Sequence, residues 1–219
     1  MPVATPVFDR LPESKRRTIL TAAAAEFARA GFVAAKVDAI AARAGISVGS
    51  LYQYFGTKEQ CFLAVLDDGV TELRSRLEEV QNRVSDPWGR IEAIVRLIPS
   101  HSRQHSDILR LYHEIGGEGL SDLGRDFCVR FEGLSARVYS ALLTEARTLG
   151  VVRTDLDEDY AAFCLDSVFM ALQFSFSADY HRLRKAVYLG EAKDGDDEAL
   201  VTRVLQFLRY GLAGTAPPG

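Results

Sequence analysis

From Ile19 to Leu212 the apolar residues return every three or four positions, and alternation with period two never holds for long. That spacing is the stripe of an amphipathic helix, repeated segment after segment, and it leaves no run that reads as a strand. The predicted fold class is therefore all-α, with about nine helices. A chain of 219 residues can bury a self-sufficient core, as one large domain or two small ones.

The boundaries follow from capping and breaking residues. A first helix is expected from Ser14, as N-cap, to a stop at Gly31, with Ile19, Leu20, Ala23, Ala24 and Phe27 on its apolar face. Short helices follow at about 37–44, stopped by Gly45, and at about 48–54. Thr57 to Gln60 matches a capping box and opens a long fourth helix carrying Phe62, Leu66, Leu73, Leu77, Val80 and Val84. After Asp86-Pro-Trp-Gly, a fifth helix carries Ile91, Ile94, Val95 and Ile98 and should end near Pro99. Ser106 caps a sixth helix, residues 107–115, and a seventh carries Leu123 to Leu149 and stops at Gly150.

Residues 157–185 read as one continuous eighth helix with a narrow polar sector of Asp166, Gln173 and Ser177. Apolar side chains fill most of its remaining circumference, so it should be buried on two sides: one against its own domain, the other against a second subunit. An exposed loop at 190–198 leads to a ninth helix with Leu200, Val204, Phe207, Leu208 and Leu212, and with Gly211 on its apolar face.

Hydrophobic residues make up 47% of the chain and charged residues 26%, which excludes a disordered polymer. No segment approaches the charge-free apolar length of a membrane span, since the longest candidate, 160–178, contains Asp166. Met1 to Leu11 lacks the basic and apolar regions of a secretory signal, so a cytoplasmic location is expected. Cys61, Cys128 and Cys164 are odd in number and lie in apolar helical patterns, and are expected to be reduced core residues. The net charge of −4 does not by itself point to nucleic acid. Its distribution does: Arg10, Lys15, Arg16, Arg17, Arg29, Lys36, Arg43 and Lys58 face only Glu13, Glu26 and Asp38 across residues 10–58.

Within that basic quarter lies Val37-Asp-Ala-Ile-Ala-Ala-Arg-Ala-Gly-Ile-Ser-Val-Gly-Ser-Leu-Tyr-Gln-Tyr-Phe55. Ile40, Ala41 and Ala44 give the first helix a small-residue face that a second helix can cross closely. Gly45 supplies a positive-φ turn, Ile46 fills the angle and Ser47 caps the next helix. Leu51 and Phe55 anchor that helix, leaving Val48, Gly49, Ser50, Tyr52, Gln53 and Tyr54 on or near its exposed side. In a major groove Gln53 can read a base edge and Tyr52 contact a base, while Ser50 and Tyr54 bind phosphates.

This stretch resembles the signature of the TetR family, Ile-Ala-x-x-Ala-Gly-Val-Ser-x-Gly-x-Leu-Tyr-x-Tyr-Phe-x-x-Lys-Glu. It is matched at Ile40-Ala41, Ala44-Gly45, Ser47, Gly49, Leu51-Tyr52, Tyr54-Phe55 and Lys58-Glu59, with Ile46 in place of valine. The resemblance implies a three-helix helix-turn-helix DNA-binding domain at 10–60. A helical effector-binding and dimerisation domain would follow at 61–213. It implies backbone contacts from Tyr54 and from Lys58, and further contacts from Lys15 to Arg17. The family often has a hydroxyl residue where this chain has Ala35-Lys36, so a longer ionic phosphate contact from Lys36 takes that place.

By the same resemblance the fifth to seventh helices enclose an effector, and the helices at about 157–185 and 197–213 form a homodimer interface. Trp88, Tyr112, Phe127, Phe131 and Phe169 are the candidate pocket residues, which favour an apolar or aromatic ligand, with ordinary core packing as the alternative for each. Glu145 projects onto the apolar side of the seventh helix and needs either an arginine or a cationic ligand. His101 and His105 have helical metal-pair spacing but no fixed third ligand, so no metal or cofactor is expected. The expected function is a dimeric operator-binding repressor released by a small effector. The alternatives are a ligand sensor without specific DNA binding, or an enzyme with an aromatic cavity, for which no catalytic motif is present.

Overall fold

The computed structural model describes residues 4–114, 121–190, 193 and 195–213, with side chains described for these except 114, 121–124, 126–128 and 130. Every regular element among the described residues is helical. Eleven helices follow in order: α1 (Pro6–Asp9), α2 (Glu13–Ala34), α3 (Val37–Ala44), α4 (Val48–Phe55), α5 (Lys58–Arg83), α6 (Pro87–Gln104), α7 (Ser106–Glu114), α8 (Ser121–Thr148), α9 (Glu158–Ser177), α10 (Asp179–Leu189) and α11 (Asp197–Ala213). They sort into two units, residues 1–74 with 107–128, and residues 75–106 with 129–219.

The first unit is built on α2, which buries Ile19, Leu20, Ala23 and Phe27. Phe62 meets both Phe27 and Phe32 edge to face, 5.1 Å from each. Such offset rings add to the area they bury, because edge and face carry opposite partial charge. α2 starts one residue before Ser14, on Pro12 and without a side-chain cap. Gly31 does interrupt it: at φ 72° it turns the chain, and the last turn to Ala34 lies beyond this kink. Gly69 lets α5 and α7 come together, since a Cβ there would sit 2.6 Å from Ile108 Cγ2.

In the second unit α6, α8, α9 and α11 share one core, with Ile91, Val95, Ile98, Leu143, Ala146, Leu165, Phe169, Leu205 and Leu208 inside it. Asp86 caps α6 by accepting from the Gly89 N–H at 2.6 Å, and Asp157 caps α9 through the N–H groups of Asp159 and Tyr160. Ion pairs Arg147–Glu158, Arg96–Glu198 and Arg103–Asp197 fasten helix ends at the periphery.

Four expectations are corrected here. α6 does not end near Pro99 but continues to Gln104 with Pro99 inside it and buried. Proline removes one intrahelical hydrogen bond, a cost offset by burying Ile98 and Pro99. The region 157–185 is two helices, broken at Ala178, which is extended at φ −111° and ψ 133°. Cys61 is buried as expected, whereas Cys164 is exposed on α9; the side chain of Cys128 lies outside the described residues. α9 is also long and apolar enough to cross a bilayer by length and composition alone. That departs from the expectation that no segment approaches a span, yet Leu165, Phe169, Leu172 and Phe176 on α9 are core residues of this unit.

Candidate nucleic-acid interface

The turn between α3 and α4 is fixed by backbone chemistry. Gly45 adopts the left-handed conformation (φ 66°, ψ 34°), where a side chain would be strained. Its N–H donates to Ala42 O at 3.2 Å and the Ile46 N–H to Ala41 O at 3.0 Å, the two bonds of a Schellman stop. Ser47 then caps α4, its Oγ accepting from the Ser50 N–H at 3.0 Å and lying 2.8 Å from Ser50 Oγ. Gly45, Ile46 and Ser47 thus stop one helix, turn the chain and start the next.

Leu51 and Phe55 are buried, as the anchoring role requires. Val48, Gly49, Tyr52 and Gln53 are exposed and Ser50 is half-buried, so α4 presents one polar and aromatic face to solvent. Tyr54 departs from expectation: it is only 7% exposed. The cause is α1, which the periodicity did not reveal. Phe8 on α1 packs its ring 4.7 Å from Phe55 and 6.0 Å from Tyr54. The Thr5 N–H donates to Tyr54 O and the Thr5 hydroxyl to Gln53 O, both at 2.9 Å. These bonds occupy carbonyls that the end of a helix otherwise leaves unpaired.

Lys36 is exposed at the start of α3. No side chain of its own residue caps that helix, but Glu26 of α2 accepts the Lys36 N–H at 3.3 Å. Glu26 is almost fully buried. The Arg29 guanidinium bonded to it, at 2.8 Å, holds its carboxyl below the usual range against the opposing effect of burial. Sequence reading had counted Glu26 only as a charge. Lys58 donates from Nζ to Val33 O at 3.0 Å and lies 5.0 Å over the Phe32 ring. The lysine of the family motif thus ties the start of α5 to the end of α2.

The candidate pocket residues fall in both units. Trp88, Phe131, Glu145 and Phe169 belong to the second unit, whereas Tyr112 lies on α7 in the first, and the side chain of Phe127 lies outside the described residues. Phe169 is buried and meets Tyr139 edge to face at 5.4 Å. Trp88 packs against the core edge beneath the Arg209 guanidinium, 5.3 Å from its ring centre. Glu145 is not a buried carboxylate: its side chain is 42% exposed and Arg90 Nη1 donates to it at 2.6 Å. The arginine alternative thus accounts for it. His101 lies within α6 and His105 ends it, their rings 4.4 Å apart, rather than in a loop.

Sequence reading missed Tyr139 and Ser102. Ser102 is fully buried on α6 and its hydroxyl has no partner among the described residues. Asp166 is half-buried on α9, and burial followed by the nearby Glu132 charge raises its carboxyl to about 6.

Comparison with known proteins bears on both units. Residues 19–65 match the family model described as bacterial regulatory proteins, tetR family. The chain is 30% identical over 174 residues to the HTH-type transcriptional activator FasR of Mycolicibacterium smegmatis, covering 73% of this chain and 76% of that protein. It is 28% identical to the HTH-type transcriptional repressor KstR2 of the same organism, covering 74% and 80%. Among solved structures, a TetR family transcriptional regulator from Chloroflexus aurantiacus aligns with a TM-score of 0.63 at 23% identity, over 95% of this chain and 98% of that one. The fatty acid degradation regulator FadR from Bacillus halodurans aligns at 0.67 and 21% identity, over 90% and 98%. At such identities the structural likeness speaks for the fold alone.

Proposed function

The chain belongs to the TetR family and is a helix-turn-helix transcriptional regulator, and from that premise we propose that it represses as a homodimer that reads an inverted-repeat operator through α4. The observation that carries this reading is the division of α4: Leu51, Tyr54 and Phe55 are buried, while Ser50, Tyr52 and Gln53 stand on the side turned from the core. Gln53 and Tyr52 address base edges, and Ser47, Val48, Gly49 and Ser50 bring the helix N-terminus against the backbone. Lys36 meets a phosphate directly. Lys58 reaches one by exchanging the Val33 carbonyl for it.

Residues 10–60 carry DNA binding in this reading, and 61–213 carry the effector and the subunit contact. The exposed apolar side chains of the second unit support the latter. Tyr160 and Phe163 on α9, and Phe207 and Tyr210 on α11, stand in solvent in the isolated chain. Among the described residues no side chain lies within 4 Å of where a Gly211 Cβ would be, so a partner helix can approach closely there. Burying such a face in a symmetric contact is the ordinary way a dimer forms. The effector is apolar or aromatic, held beside Phe169 and Phe131. Its binding shifts the population of dimers toward one with lower operator affinity. The protein acts in the cytoplasm, on DNA rather than as an enzyme.

Affinity for a mixed-sequence duplex, titrated against salt, tests the phosphate contacts without knowledge of the operator. The wild-type protein should lose affinity steeply with salt, and Lys36→Ala should lower that slope by about one. Salt-independent binding, or none at low salt, would contradict the proposal.

A further inference from the structure

α4 is only eight residues long, too short for backbone bonding alone to hold its shape. Its N-terminal end is held from within the helix-turn-helix, by the Ser47 cap. Its C-terminal end is held from elsewhere in the chain. Of the last four carbonyls, Tyr52 O accepts from the Gly56 N–H at 2.7 Å and Phe55 O from the Thr57 N–H at 2.9 Å. Gln53 O and Tyr54 O, between them, accept from Thr5: its hydroxyl bonds the first and its N–H the second. Phe8 covers the same end of α4, buried with its ring against Phe55 and Tyr54.

Thr5 and Phe8 are joined as one piece. The Phe8 N–H donates to Thr5 O and the Leu11 N–H to Phe8 O, both at 3.0 Å, so α1 is a closed turn. Pro6 at its first position fixes φ where that turn begins. Residues three apart in such a turn lie on one side of it, which brings the Thr5 donors and the Phe8 ring to the same end of α4. Both residues precede 19–65, the stretch matched to the tetR family, and every one of these contacts lies within the first unit. The consequence falls on Gln53, whose side chain is exposed and whose own carbonyl is the one that the Thr5 hydroxyl holds. A bidentate contact to a base edge needs its side chain held within about 0.5 Å of its place. A last turn with unpaired carbonyls frays and does not hold it there.

We propose that Thr5 and Phe8 are positioning residues for DNA reading: α1 clamps the C-terminal end of α4 and thereby sets where Gln53 meets a base pair. The clamp rests on the reading of α4 given above. It makes discrimination among operators depend on a segment that lies outside the helix-turn-helix and acts through Gln53. Phosphate contacts from Lys36 and from the N-terminal end of α4 do not pass through the clamped end, so loss of the clamp lowers discrimination and spares general affinity.

The test uses the full-length protein, the duplex it enriches from a random pool, and single base-pair variants of that duplex. The pair that Gln53→Ala no longer distinguishes is the one Gln53 reads. Thr5→Val removes the hydroxyl at nearly constant volume and keeps the N–H. At that pair it should lower discrimination by about threefold to tenfold, the range of one hydrogen bond, with affinity for a mixed-sequence duplex and its salt slope unchanged. Thr5→Ser, which keeps the hydroxyl, should retain the wild-type discrimination. Phe8→Leu, which stays apolar but loses the ring contacts, should act in the same direction as Thr5→Val, with thermal melts verifying that each variant folds. In a Gln53→Ala background Thr5→Val should add nothing, because its effect passes through Gln53. Additive effects of the two, or a Thr5→Val variant that keeps wild-type discrimination or weakens every duplex alike, would overturn the clamp and leave the reading of α4 standing. Discrimination that Gln53→Ala leaves intact at every pair would overturn that reading, and the clamp with it.

Discussion

α4 and α9 both leave aromatic side chains in solvent, but in different company. On α4 the exposed Tyr52 stands among Gln53, Gly49 and Ser50, a surface that offers hydrogen bonds along its length. On α9 Tyr160 and Phe163, 76% and 72% exposed, stand beside Cys164, Ser167 and Ala171, and the Ser167 hydroxyl is already given to the Phe163 carbonyl. A nucleic-acid groove is wet and charged, whereas the centre of a subunit interface is dry and apolar. Exposure alone therefore does not identify a functional face; the neighbours of the exposed ring separate a DNA-reading helix from a dimerising one.

That contrast can be broken at several points. The largest effect is expected on the inward side of α9, where Phe169→Ala leaves a cavity and should cost about 3–5 kcal/mol of stability by urea denaturation. An unchanged midpoint would mean that Phe169 is not a core residue. On the outward side, Phe163→Asp should leave the fold intact but weaken dimerisation by about 2–4 kcal/mol, the range of an interface hot spot. Sedimentation equilibrium reads this directly, and an unaltered dimer would remove α9 from the interface. Gln53→Ala on α4 should do the reverse, sparing the dimer and reducing discrimination among duplexes by about 1–3 kcal/mol. If it weakened all duplexes alike, Gln53 would be a backbone contact.

The smallest effect concerns pH. Burial raises the Asp166 carboxyl from 3.8 to about 6, so between those values the folded chain holds a proton that the unfolded chain has released. Stability from this group is therefore complete below the unfolded value and declines as pH rises through about 6. Asp166→Asn should flatten that decline, measured as thermal midpoint against pH. A decline of the same size in the variant would assign it to another group.

The turn from α3 to α4 was legible because its determinants are local: Gly45, Ile46 and Ser47 each act on backbone within a few residues. The burial of Tyr54 was not, because it depends on Phe8 and Thr5, some forty-five residues earlier in the chain. For the same reason Glu26 passed as a surface charge, although it supplies the start of α3 with the acceptor that position 36 lacks. The path of α6 through Pro99 was misread because a proline's local cost was weighed without the tertiary burial that outweighs it. At Ala178 the apolar pattern runs on without a glycine or proline to mark the break. Asp166 stood out on its helix, but Tyr139 gains meaning only from the helix opposite.

Selection from a random DNA pool by the purified protein, followed by titration of the enriched duplex against a scrambled one, tests the central claim most directly. The account predicts an inverted repeat with half-site centres about 34–36 Å apart or a multiple of it, bound by one dimer, with enrichment altered by Tyr52→Ala and Gln53→Ala. Recovery of no repeat, or of the same repeat by both variants, would contradict the assignment of α4 as the helix that reads DNA.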